Sequence, residues 1–162
     1  MTTITIKTAD LAGAALDYAV AMAGAWKHAH EHFPTMTLDS TFKGYKVYRL
    51  QGGRVVCQLV PNNPFRQDHV IYEPSASWEI AGPIIDREQI GISPPGSRVH
   101  RNGGPNAGWG ASGYWSATTW VAGVNGRRSI AFHETSPLVA AMRCYVTNKL
   151  GDSVDIPQEL SP

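Results

Sequence analysis

The stretch "TSPLVAAMRCYVTNKLGD" constrains the fold most, because it describes a helix with both ends marked. Ser136 is a good N-cap, Pro137 suits the first helical position, and Gly151 suits the stop. Between them Leu138, Met142, Tyr145 and Lys149 recur at three- or four-residue spacing, and Ala141 and Leu150 widen that apolar stripe. Lys149 near the carboxyl end also complements the helix dipole. Such a stripe has to be buried against another element. The tail "DSVDIPQELSP" reads as extended, with Val154 and Ile156 free to pack back on the body.

The partners are legible upstream. "TTITIK" alternates Ile4 and Ile6 with polar neighbours, as a half-buried strand does. A helix follows, with Thr8 or Asp10 as cap, Leu11, Ala15, Tyr18 and Met22 on one face, and Gly24 as stop. "YKVYRLQGGRVVCQLV" is a hairpin around Gly52-Gly53, the clearest β signal in the chain. "PNNPFRQDH" is loop chemistry and Val70–Tyr72 a short strand. "YWSATTWVAGV" and "RRSIAFH" read as two strands joined at Asn125-Gly126. These elements predict an α+β fold: one small domain over 1–162, its short-stranded antiparallel sheet packed by an N-terminal and a C-terminal helix. Residues 25–44 and the Gly- and Pro-rich 93–113 are expected to be variable loops.

Composition bounds the function. A chain of 162 residues buries roughly two-thirds of its unfolded surface and needs no metal or disulfide to fold. With 43% hydrophobic and 17% charged residues it is neither disordered nor membrane-like. Its opening lacks the basic-then-apolar layout of a signal peptide, so a cytoplasmic protein is expected. A net charge of +1 without Lys/Arg runs gives no footprint for nucleic acid, which is not expected as a partner. Cys57 and Cys144 sit in apolar segments and read as small buried hydrophobes. His28, His30 and His32 have the spacing of metal ligands but no helper motif, and a solvated surface is the expectation there.

Three blocks occur in order: "TADLAGAALDYAVAMAGA", "YEPSASWEIAGPIIDREQIGISP" and "TSPLVAAMRCYVTNKLGDSVDIPQEL". Together they resemble the NinX-like family of small proteins from tailed phages and prophages. Its members run from a "TGxALDWAVA"-like helix through "YSPSTDWxQGGPIIEREGI" to "PLIAAMRxYVxxxxGDEVEVPEEL". Departures lie mainly between the blocks; within the central one, Ala81 replaces the first Gly of a Gly-Gly pair, while Pro83 to Glu88 keep the pattern. The resemblance implies a phage accessory protein acting in an infected or lysogenic host, and no established reaction.

The central block holds most of the candidate site. Gly82-Pro83 is expected to form a turn anchored by Ile84-Ile85. In an extended segment Asp86 and Glu88 would share a face, fit for a divalent ion or acid–base work; in a helical turn they would be dipole partners. Trp78, Trp109, Trp115, Trp120 and Tyr72 cluster between residues 70 and 120. Stacking faces beside Arg and carboxylate groups suit a planar, polar ligand such as a nucleobase, and Arg87 or Arg143 suits its phosphate. No G-x-S-x-G elbow, P-loop or CxxC is present.

The expectation is therefore a non-catalytic binding protein for a small nucleotide-like ligand, one reading being sequestration of a host immune signal. Its site would draw on Tyr72, Ser75, Trp78, Pro83, Asp86, Arg87, Glu88, Trp109, Trp115 and Arg143, with no cofactor, no metal and no membrane. A homo-oligomer is compatible with the apolar termini. The alternatives are a protein-interaction module modulating a host or phage recombination enzyme, and a metal-dependent hydrolase using Asp86 and Glu88.

Overall fold

A computed structural model describes residues 2–25, 27–28, 47–58, 69–101, 108–111, 113–123 and 126–161. Its strands are β1 (Thr3–Lys7), β2 (Lys27–His28), β3 (Val47–Gln51), β4 (Arg54–Gln58), β5 (His69–Ile71), β6 (Gly91–Ser93), β7 (Arg98–Arg101), β8 (Gly108–Ala111), β9 (Trp115–Gly123), β10 (Gly126–Glu134) and β11 (Ser153–Pro157). Its helices are α1 (Gly13–Ala23), α2 (Trp78–Arg87) and α3 (Pro137–Leu150). The domain is α+β, as expected, with its strands in several small sheets rather than one. The order β2-β3-β4-β5 includes a parallel β2–β3 contact, and β10-β9-β6 and the pairs β1-β11 and β7-β8 are antiparallel.

Helix α3 organises the core. Ser136 accepts the Val139 N–H, Pro137 opens the helix and Gly151 closes it at φ 97°. Residues 140–147 are all buried, so the single stripe read from the sequence is too narrow. α3 is enclosed by α1, by α2 and by the β6–β9–β10 sheet. Ala140, Ala141 and Cys144 carry side chains small enough for close approach on several sides, and a helix apolar all round belongs in a core. Leu11, Leu16 and Val20 pack with Met142, Val146 and Ile156 there.

The two ends of the chain meet. β1 pairs β11 from Thr3↔Pro157 to Lys7↔Ser153, which buries Val154 and Ile156 as the sequence predicts. Thr8 does not cap α1. It lies in a 3-10 turn, its N–H donating to Asp152 O (2.9 Å) and its hydroxyl to Gly151 O (2.8 Å). Ala12 occupies the α1 cap position with no side-chain bond, so the expected Thr8 or Asp10 cap gives way to a tie between α1 and the end of α3.

The Gly52-Gly53 hairpin forms with Gln51 opposite Arg54, both glycines at positive φ (59° and 70°), where a primed turn needs glycine. The Gly-rich 93–113 segment is not all loop, because β7 and β8 pair within it, Arg98↔Ala111 to Arg101↔Gly108. In the three-stranded sheet, Trp115, Ala117 and Thr119 share a face with Ile130, Phe132 and Glu134, turned to α3. Ser116, Thr118 and Trp120 occupy the other face with Ser129, Ala131 and His133.

Candidate functional site

The central block folds as a turn and then a helix. Pro74 is fully buried, and the Ser75 N–H donates to Asp17 Oδ1 at 2.8 Å, pinning the turn to α1. Burial pushes the Asp17 carboxyl up to about 6, with the Ser75 hydrogen bonds pulling the other way and the Glu73 charge adding to the rise. The Ala76 and Ser77 N–H groups donate to Glu73 O, and α2 begins at Trp78.

Gly82-Pro83 is not a turn; Pro83 lies inside α2. The helix tolerates it because Ala81 and Ile84 anchor the buried side, while Pro83 stands on the solvent side, where water can satisfy the carbonyl left unpaired. The anchoring expected of Ile84 and Ile85 is present: Ile84 is buried and Ile85 half-buried against the core.

A helical block fixes the directions of its charges. From Trp78 to Arg87 the axis advances about 14 Å and turns about 180°, so the two point apart from opposite ends. Trp78 is 55% exposed. Asp86 and Glu88, two residues apart, diverge by about 200° rather than sharing a face.

The carboxyl end of α2 instead meets α3. Glu88 is bridged by Arg87 Nε (3.0 Å) and Lys149 Nζ (2.8 Å), and its side chain is 12% exposed. Both cations lie over the buried Tyr145 ring, Arg87 Cζ 6.0 Å and Lys149 Nζ 5.9 Å from its centroid. Burial alone would raise Glu88, but hydrogen bonds and charge from Lys149 and Arg87 more than offset it and hold the carboxyl below its usual range. Burial raises the Tyr145 phenol, against the pull of Arg87. Two cations share one sealed carboxylate, with 54% of the Arg87 and 40% of the Lys149 side chain still facing solvent.

The other candidates lie elsewhere. Arg143 is buried; its Nε donates to Leu11 O (2.9 Å) and its Nη1 to Glu134, so its guanidinium is already engaged. Tyr72 is buried, its N–H donating to Val55 O at 2.8 Å. Trp115 is half-buried on the α3 side of the sheet, opposite Glu134. Trp109 stands on β8 opposite His100. Thus Arg87 and Glu88 come together with two groups read from the sequence as part of the α3 stripe and not of the site, Tyr145 and Lys149, while Trp78, Trp115 and Arg143 do not join them.

Among the described residues no three His, Cys, Asp or Glu side chains gather to hold a metal ion; His30 and His32 lie outside them, as do residues 61–68, where loop chemistry is expected. No helix among the described residues is long and apolar enough to cross a membrane. Cys144 is buried, donates to Ala117 O at 3.3 Å and is pushed by burial to about 12, the state of an inert core thiol.

The family model described as Bacteriophage P22, NinX matches residues 7–149. The chain belongs to this family. The match runs from Lys7, the last residue of β1, to Lys149, so the NinX region includes both the Asp17 clamp and the Glu88–Lys149 contact. A comparison with curated proteins gives no match.

Proposed function

We propose that this NinX-family protein is a non-catalytic phage accessory protein that binds a small, anionic, nucleotide-like ligand, and that it sequesters such a ligand in the host cytoplasm, a host immune signal being the role that fits. The observation that carries the reading is the Arg87–Lys149 pair. Two cations held on one ring and one carboxylate keep half or nearly half of their surface open to solvent. Glu88 and Tyr145 fix them in advance, which reduces the ordering cost of binding a phosphate. A guanidinium beside an ammonium suits phosphate oxygens, one by planar donors and one by point charge.

The test is a thermal-shift and calorimetry panel of linear and cyclic nucleotides on wild type and on Arg87→Gln/Lys149→Gln. Binding by wild type is expected, and the binding event that depends on Arg87 and Lys149 should be lost in the double variant. No binding of any nucleotide by wild type at millimolar concentration sinks the reading. Native mass spectrometry of protein from infected cells would add the ligand mass and the assembly state.

A second reading, a protein-interaction module, draws on Trp78. This large apolar side chain stands exposed at the start of α2; Pro83 is exposed on the same helix, and a Cβ added at Gly82 would touch nothing within 4 Å. It predicts capture of a single host or phage partner that Trp78→Ala abolishes. The hydrolase reading gains no support from the geometry, because Asp86 and Glu88 diverge and Glu88 is neutralised by two cations.

A further inference from the structure

The outer face of the β6–β9–β10 sheet, turned away from α3, carries a group of side chains that the Arg87–Lys149 site does not use. Strand alternation and register place Ser93, Ser116 and His133 in one row, Gly91, Thr118 and Ala131 in the next, and Trp120 with Ser129 in the third. Trp120 is 57% exposed. Its neighbours on this face are small: Ser129 lies directly opposite, Thr118 two residues back, and Ala131 and Gly91 on the diagonals. Gly91 packs closely here: a Cβ there would meet Thr118 Oγ1 at 3.1 Å, so a larger residue would require the Thr118 side chain to shift. Among these described neighbours the indole stands over a low floor of small side chains.

The far row supplies polarity. Ser116 Oγ and His133 Nδ1 are 2.8 Å apart, Ser116 buried and His133 exposed. That bond occupies Nδ1, orients the ring and leaves Nε2 to meet a ligand. Ser129, opposite Trp120, and His133 are four positions apart, a span of about 14 Å along the strand. This is longer than a single base, so the two ends suit a base together with its sugar–phosphate tail. The described residues of this face include no carboxylate, so an anionic tail meets no like charge there.

We infer that this face is a binding site for a nucleobase-bearing ligand, with the base stacked on Trp120 and the tail hydrogen-bonded by His133 over Ser116. Aromatic stacking serves any base, because every base has a π face, so the site accepts a class rather than one sequence. It is separate from the Arg87–Lys149 pair, whose ring partner Tyr145 belongs to α3 on the opposite side of the sheet.

The test is titration of the full-length protein with adenosine, AMP and a short oligodeoxyadenylate, followed by NMR at the Trp120 indole N–H and the His133 ring. Saturable shifts at both residues are expected, with the affinity read from those shifts at least tenfold weaker in Trp120→Ala and largely kept in Trp120→Phe. Tighter binding of the oligomer than of AMP assigns the base to a single strand, and equal binding assigns it to a free nucleotide; either supports the site. Absence of shifts at Trp120 and His133 with all three probes overturns it. So does binding that survives intact in a folded Trp120→Ala variant. Failure of the Arg87–Lys149 reading alone would appear as loss-free binding in its own double variant, with the Trp120 shifts intact.

Discussion

Replacing Asp17 by asparagine should remove a pH-dependent burden on the fold. The Asp17 carboxyl lies 5% exposed beneath the turn that launches α2, accepting the Ser75 N–H at 2.8 Å. Burial lifts it from 3.8 to about 6 despite that bond. A carboxyl raised on folding means that between these two values the native state holds more protons than the unfolded state. Stability attributable to this group is then intact below about pH 3.8, falls as pH rises, and is fully forfeited above about pH 6. A rise of about two units corresponds to about 3 kcal/mol. Asparagine keeps an oxygen for Ser75 and carries no charge, so Asp17→Asn lacks this slope. Urea unfolding of both proteins between about pH 3.5 and pH 7 isolates the effect, because other titrating groups cancel in the difference. The variant should gain on wild type by about 3 kcal/mol across that range. A flat difference refutes the reasoning, and a difference of opposite sign would mean that the Ser75 hydrogen bond outweighs burial.

Thr147 Oγ1 is buried with no hydrogen-bond partner, so Thr147→Val should raise the unfolding free energy by about 1 kcal/mol in the same assay. Arg143→Ala strands Glu134 and Leu11 O and should cost about 3 kcal/mol, whereas Arg87→Ala, losing a solvent-facing pair, should cost less than about 1 kcal/mol. In a Cys57→Ser background, Cys144 should resist a thiol reagent near pH 8 until denaturant is added, since burial holds its thiol at about 12; rapid native labelling would contradict that.

What the sequence made legible was whatever short-range chemistry dictates. Gly52-Gly53 could be read as a hairpin because two successive positive φ angles leave few alternatives to glycine, and Ser136, Pro137 and Gly151 mark α3 for equally local reasons. Pro83 misled for the converse reason: its local preference for a turn was overridden by Ala81 and Ile84, whose burial is decided by the rest of the fold. β8, "GWGA", was hidden because two glycines erase the β-branched signature, although its pairing with β7 satisfies the backbone. At the site, Arg87 and Glu88 were visible as a charged block, but their partners Tyr145 and Lys149 come from α3, brought near only by α2–α3 packing. Asp17 did leave a trace, a lone carboxylate within the apolar run "ALDYAVA", and such a residue on a buried helix face needs a partner such as Ser75.

The separation of aromatic and cationic groups has its own consequence. α2 turns Trp78 away from Arg87, and the sheet stands between Trp120 and the Tyr145 ring on which Arg87 and Lys149 rest. With the two groups on opposite sides of the sheet, one compact nucleotide should not contact both Trp120 and Arg87 within a single chain. Binding energies lost on Trp120→Ala and on Arg87→Gln should therefore describe different events, with a coupling within about 0.5 kcal/mol of zero in a double-mutant cycle for any one ligand. Calorimetry with AMP on the four proteins of that cycle measures the coupling. A coupling above about 1 kcal/mol would mean that the ligand touches both groups at once. Repeating that titration at lower protein concentration then separates the two causes: binding that weakens as an assembly dissociates means neighbouring copies share the ligand, and binding that does not means one chain presents both groups.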